Sequence, residues 1–295
     1  MDDTEKTTSA MDYSSPVEER PEGVSKKAWK RLKKANMREI AKKTKVEVAA
    51  REGESSTMNT TETREETREP AVEMLRPGLV VVRRISSRAS EEAIVAKFLE
   101  IGNHPTDGFY ETDADGNRKL NSTLTRGRIY RELAFYGDEA TDWILEHCAK
   151  AVRLARAADP AMPAMVPDHA LLLYYSTNRG IKEHRDVGAN DGEGDAPIVS
   201  FNFGKSVVYR VRMSKEEEKT DVHLDPGDVI LFGGPARMIY HSVKICRDSS
   251  SPYPKLLPDR MNLTLRYAPS ILGREEEFRT FKPADIYWKN RKEVK

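Results

Sequence analysis

Two histidines and one aspartate, in the order His184-x-Asp186 and then a distant His241, constrain this chain more than any other feature. They form the ligand set of a 2-His-1-carboxylate facial triad. Such a triad holds a metal, usually Fe(II), on one face and leaves the other positions open for substrate and oxygen. Residues two apart on a strand point to the same side, so His184 and Asp186 share a face if their segment is extended. His241 must then come from a strand that pairs nearby in space. An H-x-D with a later histidine also arises by chance, so these three residues need independent support.

That support lies in the segment from Arg260 to Tyr267. Read with period 2, Met261, Leu263, Leu265 and Tyr267 fall on one face, and Arg260, Asn262, Thr264 and Arg266 on the other. A strand with one apolar face normally turns its polar face to water. The polar face would equally line a cavity that receives a dicarboxylate, because arginine grips a carboxylate through paired, charge-assisted hydrogen bonds. A metal triad beside a carboxylate clamp points to an oxygenase whose co-substrate is a small keto acid.

On these residues the chain resembles the AlkB family of Fe(II)- and 2-oxoglutarate-dependent dioxygenases. His184-x-Asp186 with His241 is similar to the family's metal triad. Arg260-x-Asn262-Leu263-Thr264-x-Arg266 is similar to its R-x-N-x-x-x-R motif. Ala196-Pro197-Ile198-Val199-Ser200-Phe201-Asn202-Phe203-Gly204 resembles the strand after the H-x-D turn, and Gly227-Asp228-Val229-Ile230-Leu231-Phe232-Gly233-Gly234 the strand leading to the second histidine. The resemblance covers roughly residues 75–270.

The resemblance implies a double-stranded β-helix and Fe(II) on His184, Asp186 and His241 as the catalytic centre. It implies 2-oxoglutarate and O2 as co-substrates. The far carboxylate of the keto acid would pair with Arg260, helped by Tyr175, while Asn262 and Arg266 brace the metal aspartate or the near carboxylate. Tyr175 lies nine residues before His184, the interval at which the family places such a tyrosine; Tyr174 takes the role if the intervening loop is aligned differently. Leu173 stands where the bacterial protein has an asparagine. Val187 and Gly188 stand where the family often has acidic residues that help choose the base, so base preference is not carried over.

The implied reaction is oxidative demethylation of N-alkylated bases in DNA or RNA, releasing formaldehyde, succinate and CO2. A base in a duplex must be flipped out to reach the metal. Arg131-x-x-x-x-Tyr136-Gly137-Asp138 resembles part of the nucleotide lid in eukaryotic members, which makes Arg131, Phe135 and Tyr136 candidate substrate contacts. The same residues also read as a turn in which Asp138 caps the following helix. With no tryptophan in the lid upstream of Arg131, base stacking would need Tyr130, Phe135 or Tyr136.

The rest of the chain sets the boundaries. Its 295 residues carry 49 basic and 48 acidic side chains, so net charge indicates no partner and its distribution matters instead. Residues 1–70 read as a disordered tail. Within it, the stretch 24–45 is strongly basic, with Glu39 the single acid, suiting nucleic acid phosphates, nuclear import or simply a solvated charge run. The dioxygenase domain is expected over 75–270 and a second tail over 271–295. Cys148 and Cys246 are far apart and offer neither a disulfide framework nor zinc spacing. No apolar run is long enough to span a membrane, and the acidic start lacks the marks of a signal peptide. An intracellular monomer in nucleus or cytoplasm, partnered by nucleic acid, is expected.

Secondary structure follows the same pattern. Leu79–Val82 reads as a strand after the Arg76-Pro77-Gly78 turn, and a helix with Ser90 as N-cap carries Ile94, Val95, Phe98 and Leu99 inward. A second helix buries Ile144, Cys148, Ala151, Val152 and Ala155. From Leu171 onward, strands split by turns about every ten residues fit an antiparallel double-sheet jelly roll. The predicted class is mainly β with flanking N-terminal helices (α+β). A same-fold dioxygenase acting on a protein or lipid is a second reading, and a catalytically silent nucleic acid-binding module a third. The intact triad and both arginines weigh against the silent module.

Overall fold

The alternating segments of the second half pair as antiparallel strands in two sheets, with two helices on one outer face. The computed structural model describes residues 70–186 and 195–268. The basic stretch 24–45, the tail at 271–295 and most of the Gly/Asp-rich loop after Asp186 lie outside the described residues. The elements are β1 (Val72–Arg76), β2 (Leu79–Val82), α1 (Arg88–Gly102), β3 (Tyr110–Thr112), β4 (Arg118–Leu120), β5 (Arg126–Glu132) and α2 (Gly137–Ala158). They continue with β6 (His169–Tyr175), β7 (Ile181–His184), β8 (Ile198–Gly204), β9 (Val207–Arg212), β10 (Thr220–Leu224), β11 (Val229–Phe232), β12 (Tyr240–Ile245) and β13 (Arg260–Arg266). β1 begins a few residues ahead of the expected domain start.

The larger sheet has the order β1-β2-β11-β8-β13-β6-β5 and the smaller β10-β9-β12-β7. The outward side chains of the larger sheet, among them Val80, Val82, Leu172, Phe201, Phe203, Leu231 and Leu263, pack with Phe98, Ile144, Cys148 and Val152 of the helices. The other face, with Val81, Leu173, Tyr175, Ile198 and Ile230, meets Val207, Tyr209, Val211 and Val243 of the smaller sheet. Strands covered on both sides become continuous apolar runs. Leu79–Val82 and Val229–Phe232, buried throughout, are two such strands.

Local chemistry fixes the helix ends, with two departures from the sequence reading. Helix α1 starts at Arg88, and Ser87 caps it by accepting a hydrogen bond from the Ser90 amide. Ser90 lies inside the first turn, where its hydroxyl instead accepts from the Trp143 indole N–H at 3.0 Å. Helix α2 starts at Gly137 with no side-chain cap. Asp138 therefore sits in its first turn, with Glu139, where the helix dipole favours negative charge.

Glu91 ties α1 to the turn before β11. A Cβ on Gly227, whose φ is +89°, would lie 2.0 Å from Glu91 Oε1, so only glycine fits both the turn and the approach. Burial pushes the Glu91 carboxyl up to about 7, against the opposing pull of Arg88 and Ser86. In the unfolded chain it titrates near its ordinary 4.5, so between these values the folded form holds the extra proton. Stability therefore falls as pH rises through that window and levels off above it. In thermal melts from pH 5 to 8, Glu91→Gln is expected to flatten this decline. A decline as steep as in the parent would contradict the assignment.

Candidate active site

The candidate metal ligands are brought together by one strand pair. β7 and β12 run antiparallel with His184 opposite His241, and a register irregularity follows between His241 and Val243. Such irregularities re-aim side chains. Gly180 permits the approach, because a Cβ there would sit 1.7 Å from the Val243 carbonyl oxygen. The two imidazole centroids are 4.3 Å apart. Asp186, two residues beyond His184, lies on the same side, and the ligating atoms of all three residues fall within 4.8 Å of one another.

Each ligand is oriented from behind. His184 Nδ1 lies 2.8 Å from the Lys182 carbonyl and His241 Nδ1 lies 3.4 Å from the Ile239 carbonyl. An Nδ1–H donated to these oxygens leaves Nε2 of each ring for a metal. Arg266 Nη2 is 3.1 Å from Asp186 Oδ1. Arg237 Nη1 donates to the Asp186 main-chain oxygen at 2.7 Å. Burial alone would raise the Asp186 carboxyl, but the charge of Arg266 and the neighbouring imidazoles outweigh it and hold it far below the usual carboxylate range. Burial lowers His241 to about 4. The ring is therefore neutral at physiological pH, the form that ligates metals.

The polar face of β13 is turned inward, not to water. Arg260, Asn262 and Thr264 are all buried, Arg260 with 1% of its surface exposed, and they line one cavity with His184, Asp186, His241 and Tyr175. Arg260 donates through Nε to Asn202 Oδ1 at 2.9 Å. Its two Nη groups and the Tyr175 hydroxyl have no hydrogen-bond partner among the described residues. The Arg260 guanidinium carbon is 4.7 Å from the Tyr175 ring centroid. Buried donors left unmade are costly, the more so on a charged group. Two parallel N–H groups are the complement of a carboxylate. The residues present thus fit both a triad metal and a carboxylate-bearing co-substrate.

The structure places the other expected site residues differently from one another. Tyr175 faces the cavity, whereas Tyr174 lies on the opposite face of β6 and stacks on Phe109 at 5.6 Å. Asn262 gives both its amide hydrogens to the protein, to Ser200 Oγ and the Phe201 carbonyl, each at 2.8 Å. It therefore shapes the wall and has no free N–H for a ligand. Tyr136 is corrected: it is 1% exposed, and its hydroxyl donates to the Ala170 carbonyl at 2.8 Å, so it belongs to the core and cannot touch a substrate. Phe135 is 37% exposed, with the Arg131 guanidinium 5.4 Å from its ring.

Sequence reasoning passed over Asn202, Ser200, Tyr209 and Arg237. Asn202 and Ser200 sit opposite Asn262 and Thr264 across the β8–β13 pair. Their alternation with Phe201 and Phe203 was a readable signal of a second polar wall. Tyr209 bonds Ser200 at 3.1 Å and lies parallel to the His241 ring.

The family model of the 2OG-Fe(II) oxygenase superfamily matches residues 22–266. The chain belongs to the 2OG-Fe(II) oxygenase superfamily. Within it the AlkB resemblance holds. The chain is 30% identical over 222 residues to the Arabidopsis thaliana protein named DNA N(6)-methyladenine demethylase ALKBH1D, a match covering 66% of this chain and 50% of that protein. It is 26% identical over 212 residues to the Escherichia coli alpha-ketoglutarate-dependent dioxygenase AlkB, covering 68% and 94%. This oxygenase chain spans about half the length of the Arabidopsis relatives it matches. The solved structure of OsALKBH1 superposes with a TM-score of 0.53 at 20% identity, covering 67% of this chain and all of that one, and shows the same fold. Among the described residues no helix is long and apolar enough to cross a membrane.

The superfamily implies Fe(II) on the triad, which makes Arg266 a testable support. Replacing it by leucine removes the charge that holds Asp186 ionised and oriented. Arg266→Leu is expected to weaken Fe(II) affinity 10- to 100-fold, measured anaerobically by competition with a chelator. Affinity equal to that of the parent protein would contradict this role.

Proposed function

We propose that this chain is an Fe(II)- and 2-oxoglutarate-dependent dioxygenase that oxidatively removes N-methyl groups from bases in DNA or RNA. The observation that carries the reading is a single cavity. It is lined both by three side chains that could hold a metal and by a buried arginine whose two Nη groups have no partner among the described residues. The names of the relatives, a DNA N(6)-methyladenine demethylase and AlkB, support nucleic acid as the substrate class and N6-methyladenine as the first base to test. A role in DNA repair and a place in the nucleus or cytoplasm follow from that substrate.

The division of labour is as follows. His184, Asp186 and His241 would hold Fe(II), with Arg266 keeping Asp186 ionised. Arg260, held in place by Asn202, would take the far carboxylate of 2-oxoglutarate between its free N–H groups, with the Tyr175 hydroxyl beside it. When bound, Fe(II) and the keto acid supply O2 activation: oxidative decarboxylation to succinate and CO2, with one oxygen atom inserted into a substrate C–H bond. A hydroxylated N-methyl group then breaks its C–N bond and leaves as formaldehyde. The apolar walls Leu171, Leu173, Phe232 and Val243 exclude water from the reacting space.

Purified protein with Fe(II), 2-oxoglutarate and ascorbate is expected to form succinate at least tenfold faster with one methylated DNA or RNA oligonucleotide than with its unmethylated form. Formaldehyde should accompany the extra succinate, and His184→Ala should abolish both. Turnover that no oligonucleotide stimulates would move the reading to a protein or lipid substrate. A protein that binds no metal and forms no succinate would overturn the enzyme reading.

A further inference from the structure

We propose that the pocket-side face of β5, carrying Arg126, Arg128 and Tyr130, seats two successive phosphodiesters of the strand that bears the target base. This rests on the nucleic acid reading above and adds where the backbone of that strand lies. β5 is an edge strand of the larger sheet and pairs with β6, placing Arg126 opposite Tyr175, Arg128 opposite Leu173 and Tyr130 opposite Leu171. Directly paired residues share a face. Tyr175, Leu173 and Leu171 line the cavity, so the two arginines and the tyrosine flank it along its rim.

The charge on this face is uncompensated. The chain has a second R-x-R strand, β9, and there Arg210 is paired with Asp221 and Arg212 with Glu183. Arg126 and Arg128 have no carboxylate partner among the described residues, and Arg126 Nε is buried without a hydrogen bond. Burial and the neighbouring charges of Arg266 and Arg126 press the Arg128 guanidinium down from its ordinary value. Holding half-buried like charges together without an acid is unfavourable, and an anion from outside relieves it.

The row is also continuous with the metal site. The Tyr130 ring lies 5.8 Å from the Arg128 guanidinium and 5.9 Å from that of Arg266, which holds Asp186. The dicarboxylate co-substrate has its own guanidinium in Arg260. What remains is a line of two cations, alternate residues about 6.8 Å apart along a strand. That suits a linear polyanion passing the rim more than a single small anion. Arginine's planar fork is the usual partner of phosphate oxygens.

The test is binding of a single-stranded DNA oligonucleotide to the full chain, read by fluorescence anisotropy across a salt series. Arg126→Gln/Arg128→Gln is expected to bind at least tenfold more weakly at low salt. Its slope of log affinity against log salt should be smaller by about 1.4, from roughly 0.7 per lost phosphate contact on a single strand. Comparing slopes removes contributions common to both proteins, including any from the basic stretch 24–45. Should the double variant melt early, Arg128→Gln alone serves, with an expected change of about 0.7; Arg128→Lys, which keeps the charge, should retain the slope. An unchanged slope, with methylated oligonucleotides still stimulating succinate formation, overturns the β5 site and leaves the proposed function standing. A parent protein that binds no oligonucleotide overturns both.

Discussion

The burial of Arg260 between two sheets is the constraint on which the site depends. A guanidinium taken out of water without a partner carries a penalty of several kcal/mol, and here Asn202 satisfies only its Nε. The free Nη groups, aimed into the same cavity as the metal ligands, make the fold incomplete without an anion. The neighbouring polar wall is closed on itself. Asn262, Ser200, Thr264 and Tyr209 bond one another or the backbone, so the cavity's unmet hydrogen-bonding capacity is concentrated on Arg260 and Tyr175.

The two sheets divide the work. The smaller sheet brings His184 and His241 face to face through β7 and β12, while the larger supplies Arg260 and the polar wall through β13 and its neighbours. Arg266 and Arg237 join the halves: both start outside the strand pair of the histidines, and both close on Asp186. The helices stay remote from the chemistry. Their task is to cover the outer face of the larger sheet, and Tyr136, just ahead of α2, is buried there with its hydroxyl donating to the Ala170 carbonyl near the start of β6.

Much of this was legible in the sequence, and the reasons differ by residue. The spacing of His184 and Asp186 was readable because strand parity alone puts both on one side. Period 2 in β13 separated polar from apolar residues but could not say whether the polar face met water or a cavity; that depends on the second sheet, which pairs through contacts distant in sequence. Tyr136 misled because a tyrosine before Gly-Asp reads as an exposed turn, while its burial comes from contacts distant in sequence, with the Phe98 ring of α1 and the Ala170 carbonyl of β6. Ser200 and Asn202 carried the same period-2 signal, but it was passed over because the run around them is dominated by aliphatic and aromatic residues. Ser90 stood at a plausible cap position, but its amide donates to Ser87, which is the cap, while its hydroxyl takes the Trp143 indole N–H.

The central claim is that the inward face of β13 exists to hold the far carboxylate of a keto acid. Calorimetric titration of 2-oxoglutarate into anaerobic, Mn(II)-loaded protein tests it most directly, with Arg260→Leu for comparison and pyruvate, which lacks that carboxylate, as the second ligand. Two charge-assisted hydrogen bonds in a buried site imply a loss on the order of 100-fold or more for 2-oxoglutarate in the variant, with pyruvate affinity little changed. Equal losses for both ligands, or none for either, would contradict the account.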